Sequence, residues 1–298
     1  MSINLIPTFA VQEYATAINL LLQQKGSKLR GAVMTGTHTG KQASPVNQIG
    51  SIKANKVITR FAPMGRVDAT VDRRWVFPVD YELPQLIDTF DKLRLVADPS
   101  GEYVQNAVLA MGREQDAEII SAFTGVSKTG EVGATSTSFL SANAIGVSIG
   151  GPFSLLNLPK LRAVRKLMMA NHIDFDMEEI YVGVTAADHD ALLNEIQITS
   201  SEFNGGAKPV LQDGRVTQFL GFKFIHCEII ETQLAGVNKV TLPVWTKSSM
   251  HLGIWDDVKT DISKRNDLTS QPWQAYCVQT IGATRLEEKK VYSIDSFR

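Results

Sequence analysis

The stretch Val67-Asp68-Ala69-Thr70-Val71-Asp72-Arg73-Arg74-Trp75-Val76-Phe77-Pro78-Val79-Asp80-Tyr81 reads with a period of two. Its odd positions are Val, Ala, Val, Arg, Trp, Phe, Val and Tyr, and its even positions are mostly polar or charged, the pattern of a half-buried strand. These fifteen residues at about 3.3 Å each would span roughly 50 Å, against a usual strand of about 5–6 residues. Pro78 lacks the amide that a full ladder requires, so the stretch is expected to bend there or to run along a sheet edge. An arm this long outreaches the domain it leaves. Its apolar side is therefore expected to be covered by another subunit.

Charge points the same way. Residues 53–77 carry six bases (Lys53, Lys56, Arg60, Arg66, Arg73, Arg74) against Asp68 and Asp72, a net of +4. Residues 78–102 carry six acids (Asp80, Glu82, Asp88, Asp91, Asp98, Glu102) against Lys92 and Arg94, a net of −4. Neighbouring copies could meet basic arm to acidic segment, with electrostatics setting their orientation. The plainer alternative is a pair of solvated faces.

The chain's 298 residues, 44% hydrophobic and 20% charged, suffice for one large domain or two ordinary ones. A net charge of −1 gives no overall basic footprint for tracking phosphate, so nucleic acid, if present, is contained or ignored. Cys227 and Cys277 are too few and too far apart for a disulfide framework or thiolate metal site, and read as buried apolar thiols. No run of 18 apolar residues and no secretion signal appear, which predicts a protein made in a cytosol with no membrane partner.

Val11, Tyr14, Ala15, Ile18, Leu21 and Leu22 predict a short amphipathic helix, with Gly26 past its end. Residues 29–52 read as mostly irregular. Asp98-Pro99 is a helix start. The helix it opens should bury Val104, Ala107, Val108, Met111, Ile119, Ile120 and Phe123, wet Arg113, Glu114, Asp116 and Glu118, and stop at Gly125. Gly112 within it implies close packing or a bend. Residues 125–153, rich in Gly, Ser and Thr, read as a linker near a domain boundary. An α+β region follows: a helix from Pro159, a strand at 179–184, a helix at 186–196, and strands at 219–230 and 240–245. The tail, 275–281 then 290–294, reads as a closing hairpin.

Three patterns suggest chemistry, and each fails on context. Gly146-Val147-Ser148-Ile149-Gly150 matches a nucleophile elbow, but Gly151-Pro152 follows where a helix should begin, and none of the downstream histidines (His172, His189, His226, His251) has a distinctive setting. Gly36 to Lys41 has the Gly-Lys of a phosphate loop, but Thr35 and Gln42 stand where glycine and a hydroxyl are required. Asp188-His189-Asp190 cannot close a metal site from one helix, because adjacent side chains point apart, and it reads as a solvated helix start. The four tryptophans are scattered instead of interleaved with bases, so they read as core or interface anchors.

The order of features resembles the tailed-bacteriophage major capsid proteins of the HK97 fold. The resemblance is carried by the segment from Asp72 to Tyr81, by Asp91-Lys92-Leu93-Arg94, by Asp98-Pro99 opening a long spine helix, and by Gly221-Phe222 and Gly282-Ala283-Thr284-Arg285 further on. It implies an α+β chain with an N-terminal arm (1–45), an extended β-loop (46–82), a peripheral domain with the spine helix (83–145), an axial domain (146–270) and C-terminal strands returning to the peripheral domain (271–298). It implies pentamers and hexamers in an icosahedral virion capsid around packaged double-stranded DNA, assembled in the host cytoplasm, with each extended loop over its neighbour's peripheral domain. Portal, scaffolding and decoration proteins are the further partners expected of the family. A short arm from Met1 favours a separate scaffold or none, and no lysine–asparagine cross-link is carried over. No catalytic, metal or cofactor residue is expected. The expected subunit contacts are Arg60, Arg66, Arg73 and Arg74 as basic groups, Trp75 and Phe77 as apolar anchors, and Asp88, Asp91 and Glu102 as acidic partners. The alternatives are an encapsulin-like shell around cargo enzymes and a serine hydrolase using Ser148.

Overall fold

A computed structural model of the chain describes residues 23–43, 46–56, 65–88, 100–199 and 214–298. The expected N-terminal helix and the Asp98-Pro99 helix start lie outside them. The long helix, α1, runs Ser100–Thr124, about 37 Å at 1.5 Å per residue. It lies against a four-stranded sheet of order β1-β13-β14-β4. These strands are β1 (Met34–Thr37), β4 (Val79–Ile87), β13 (Met250–Lys264) and β14 (Trp273–Arg285). β1 is parallel to β13, and the rest of the sheet is antiparallel.

A seven-stranded sheet forms the second layer, in the order β7-β15-β12-β8-β10-β9 with β11 beside β12. It comprises β7 (Ala144–Ile145), β8 (Ile180–Val184), β9 (Gln218–Phe219), β10 (Phe222–His226), β11 (Ala235–Gly236), β12 (Lys239–Thr246) and β15 (Val291–Phe297). Its helices are α2 (Leu158–Ala170), α3 (Ala186–Leu193), α4 (Ile196–Thr199) and α5 (Ile229–Gln233). As Pro159 implied, α2 has proline in its first turn, and Asn157 caps it by accepting from the Lys160 amide. The main core joins this sheet to the C-terminal half of α1, where Phe123 packs on Trp245 at 4.6 Å between ring centres. The N-terminal half of α1 has only a small core of Ala107, Met111 and Cys277.

Several expectations change. The tail is no hairpin: β14 pairs with β4, whereas β15 joins β12 in the other sheet and so does not return to the sheet beneath α1. Residues 125–153 are more than a linker, because β5 (Ser127–Thr129) and β6 (Thr135–Thr137) extend a third sheet, β2-β3-β5-β6, with β2 (Asn47–Ile49) and β3 (Val71–Trp75). Residues 229–230, the end of a strand expected over 219–230, instead open α5. Residues 34–37, expected as irregular, form β1.

Asp116, expected on the wet side of α1, is fully buried. It accepts from Gln24 Nε2, Ser27 Oγ and the amides of Lys28 and Leu29, holding the incoming N-terminal segment on the helix. Gly112, one turn earlier, shows why that segment fits: a Cβ there would lie 2.7 Å from Gly26 backbone carbons. The glycine thus marks close packing. Asp188 is likewise no solvated helix start. It is buried and accepts from Thr185 Oγ1, Ser296 Oγ and Arg298 Nη2, anchoring the C-terminus. Ser148 sits in an exposed turn, with the next helix only at Leu158. Among the described residues no group of three or more His, Cys, Asp or Glu could hold a metal, and no helix is long and apolar enough to cross a membrane.

Candidate interaction surface

The quoted stretch divides at Phe77-Pro78 into β3 and β4, which belong to different sheets. Gly282 permits the crossing: a Cβ there would lie 2.1 Å from the Phe77 carbonyl oxygen. Val76 is held just before it by paired backbone hydrogen bonds with Ala43. The bend that proline demanded is therefore built around a glycine on the strand beneath.

The two faces of the arm differ in who covers them. Of the even positions the chain buries Arg74 and Val76, which are 5% and 1% exposed, while Asp68, Thr70 and Asp80 stay exposed. Among the apolar odd positions Val71 is left open at 74% exposed, as is its cross-strand partner Ile49, whereas Ala69, Trp75 and Tyr81 are half-buried. Ile52, Val67, Phe77 and Val79 continue the exposed apolar series. Six exposed large apolar side chains spread over the two strands of the arm and the bend that follows form the kind of surface that monomeric proteins avoid.

Among the basic residues, Arg66 pairs with Asp68 at 2.7 Å, both exposed. Arg73 donates to Asn47 Oδ1 and lies over the Trp75 ring at 5.6 Å. Trp75 is half-buried and donates Nε1 to the Gly130 carbonyl at 2.7 Å. Asp88 accepts from Ser270 Oγ, and Glu102 lies half-buried in the first turn of α1. Arg60 and Asp91 lie outside the described residues.

Arg74, expected among the subunit contacts, is 5% exposed and is held within its own chain, where its two Nη atoms meet both carboxylate oxygens of Glu288 at 2.8 and 2.5 Å. Its Nε donates to Gln48 Oε1, and Gln48 Nε2 donates to the Leu286 carbonyl, so both strands of the arm's root are fastened to the turn after β14. Breaking such a buried pair by removing one partner costs about 3–5 kcal/mol.

Next to this pair stands Arg285, which is fully buried. Its Nη1 donates to the carbonyls of Ala122, Phe123 and Gly125, a cation placed on the C-terminal end of α1. Burial pulls its guanidinium below the ordinary value, and the neighbouring Glu288 opposes that shift. The sequence hid this cluster, because Arg285 ends an apolar strand and Glu288 falls in a run of charges that reads as surface. The signal was a lone arginine at an inward position of a strand otherwise suited to the core.

Residues 6–297 match the family model described as phage capsid protein. Among solved structures, the chain is similar to the capsid of cyanophage P-SCSP1u, with 11% identity, a TM-score of 0.75, and 97% of this chain and 93% of that one covered. The capsid asymmetric unit of cyanophage Pam1 also gives 11% identity and 0.75, covering 99% and 98%. A structure from Mycobacterium phage Che8 gives 10% and 0.70, with 97% of each chain covered. No curated protein matches.

Proposed function

The chain belongs to the phage capsid protein family, and from that premise we propose that each copy lays the open apolar side of its extended arm over an adjacent copy in an icosahedral shell around double-stranded DNA. It is a structural protein of the virion with an α+β, HK97-like fold. The exposed Ile49–Val71 pair carries the reading, since both side chains stand in water on a strand pair whose other face is fastened to its own subunit. In this reading α1 and its sheet form the peripheral domain, and the seven-stranded sheet forms the axial domain. Arg66 and Arg73, which remain at the surface, are the charged contacts, and Trp75 and Phe77 the apolar ones; Asp88 and Glu102 supply acidic partners. Arg60 and Asp91 keep their proposed contact roles from sequence. Portal, scaffolding and decoration proteins are the further partners, and assembly takes place in the host cytoplasm.

An encapsulin-like compartment would use the same contacts around protein cargo. The test is electron microscopy of the purified protein, followed by extraction of intact particles. Closed shells containing DNA are expected. Shells with only enzyme cargo would transfer the reading to the compartment, and a protein that stays monomeric at high concentration would overturn both.

A further inference from the structure

The strongest unused observation is a buried donor without an acceptor. Arg285 Nε makes no hydrogen bond although it is shielded from solvent. Glu288 Oε1 lies 3.7 Å away, beyond hydrogen-bond length, and that oxygen is already taken by Arg74 Nη1 at 2.8 Å. One carboxylate thus stands between two buried guanidinia and fully satisfies only one. An unpaired donor in such a place is costly, and a buried carboxylate that loses its cation is costlier still. A short swing of the Glu288 side chain would exchange one arrangement for the other.

We propose that Glu288 is a two-position carboxylate that couples the root of the arm to the end of α1. With the arm seated, Glu288 grips Arg74. When the root of the arm lifts, Glu288 closes onto Arg285 Nε, so that release leaves no buried charge unpaired. Because Arg285 also holds the Ala122, Phe123 and Gly125 carbonyls, the move keeps the last turn of the helix secured whichever position the arm takes. The arm can then change its angle, as fitting against differently placed neighbours in a closed shell requires, while the helix end stays capped. The use of the relay rests on the arm being the inter-subunit element. The relay itself is a property of one subunit.

It is tested on the unassembled protein by amide hydrogen exchange, comparing wild type, Arg74→Ala, Glu288→Gln and the double variant. Arg74→Ala is expected to speed exchange at 47–50 and 70–75 by at least tenfold, with 119–125 unchanged, because Glu288 passes to Arg285. Glu288→Gln should speed both segments, and the double variant should match Glu288→Gln alone. Strand β12 serves as the control for global loosening. If a variant fails to fold, Arg74→Lys, which keeps the charge but not the two-pronged grip, replaces Arg74→Ala, and a structure of that variant gives the Glu288–Arg285 Nε distance directly. Closure from 3.7 Å to hydrogen-bond length is expected. The proposal is overturned if that distance stays unchanged, or if Arg74→Ala loosens the helix end as much as Glu288→Gln. A relay that fails in subunits that still form shells leaves the reading of the arm standing.

Discussion

Ile49 and Val71 face each other across β2 and β3, and each is 74% exposed in the subunit. Replacing both by serine is expected to separate folding from assembly. Because neither side chain is buried, unfolding of the isolated subunit should shift by no more than about 0.5 kcal/mol, the usual range for surface changes. The interface should suffer far more. Fully burying an aliphatic side chain contributes about 1.5–3 kcal/mol, and three quarters of each is still available. The pair is therefore worth about 2–4 kcal/mol per contact, or about 30- to 700-fold in affinity. Chemical denaturation of the dissociated protein measures the first quantity. The concentration at which shells appear, followed by light scattering and counted by electron microscopy, measures the second. A double variant that assembles at the wild-type concentration would refute the reasoning, because those side chains would then be as wet in the shell as in the subunit.

Reversing Arg66 and Arg73 to Glu should likewise leave the subunit folded, since both are exposed, and should impair shell formation most at low salt, where screening is weakest; normal assembly at all salt concentrations would count against the charged contact. Gly112→Ala should destabilise the subunit by about 1–3 kcal/mol despite alanine's better helix propensity, because the added carbon would press on the Gly26 backbone at 2.7 Å and strain the Asp116 contacts; a raised denaturation midpoint would contradict this. His38 and His251 meet through their Nε2 atoms at 2.8 Å beside Trp255, and burial with the neighbouring imidazole lowers His251 to about 4. A folded value below the unfolded one means that this contribution is intact above about pH 6.5 and is lost as pH falls toward about 4, to an extent of about 3 kcal/mol. His251→Gln should flatten that part of the stability profile, and an unchanged acid slope would refute the assignment.

The sequence made some of this architecture legible and concealed the rest for identifiable reasons. Alternation about Pro78 and the helical stripe ending at Phe123 were readable because burial there follows a simple period. Val108 on that stripe proved exposed, and Asp116 proved buried because it receives the N-terminal segment through polar contacts. The fifteen-residue β13 escaped notice because its outer half, from Asp257 on, is mostly exposed and polar, so no hydrophobic period marks it. Arg74 was read as a surface charge because nothing local reveals a partner 214 residues away. The odd positions divide: the structure leaves Val67, Val71, Phe77 and Val79 exposed, while Trp75 and Tyr81 are half-buried against their own chain. The exposed Ile49 opposite Val71 lay in a stretch read as irregular.

The central claim is tested most directly by determining the structure of the assembled particle and measuring the solvent exposure of Ile49 and Val71 in place. Both are expected to fall from 74% to nearly zero beneath side chains of an adjacent copy. A shell in which they remain open to solvent, or are covered by their own subunit, would contradict the account.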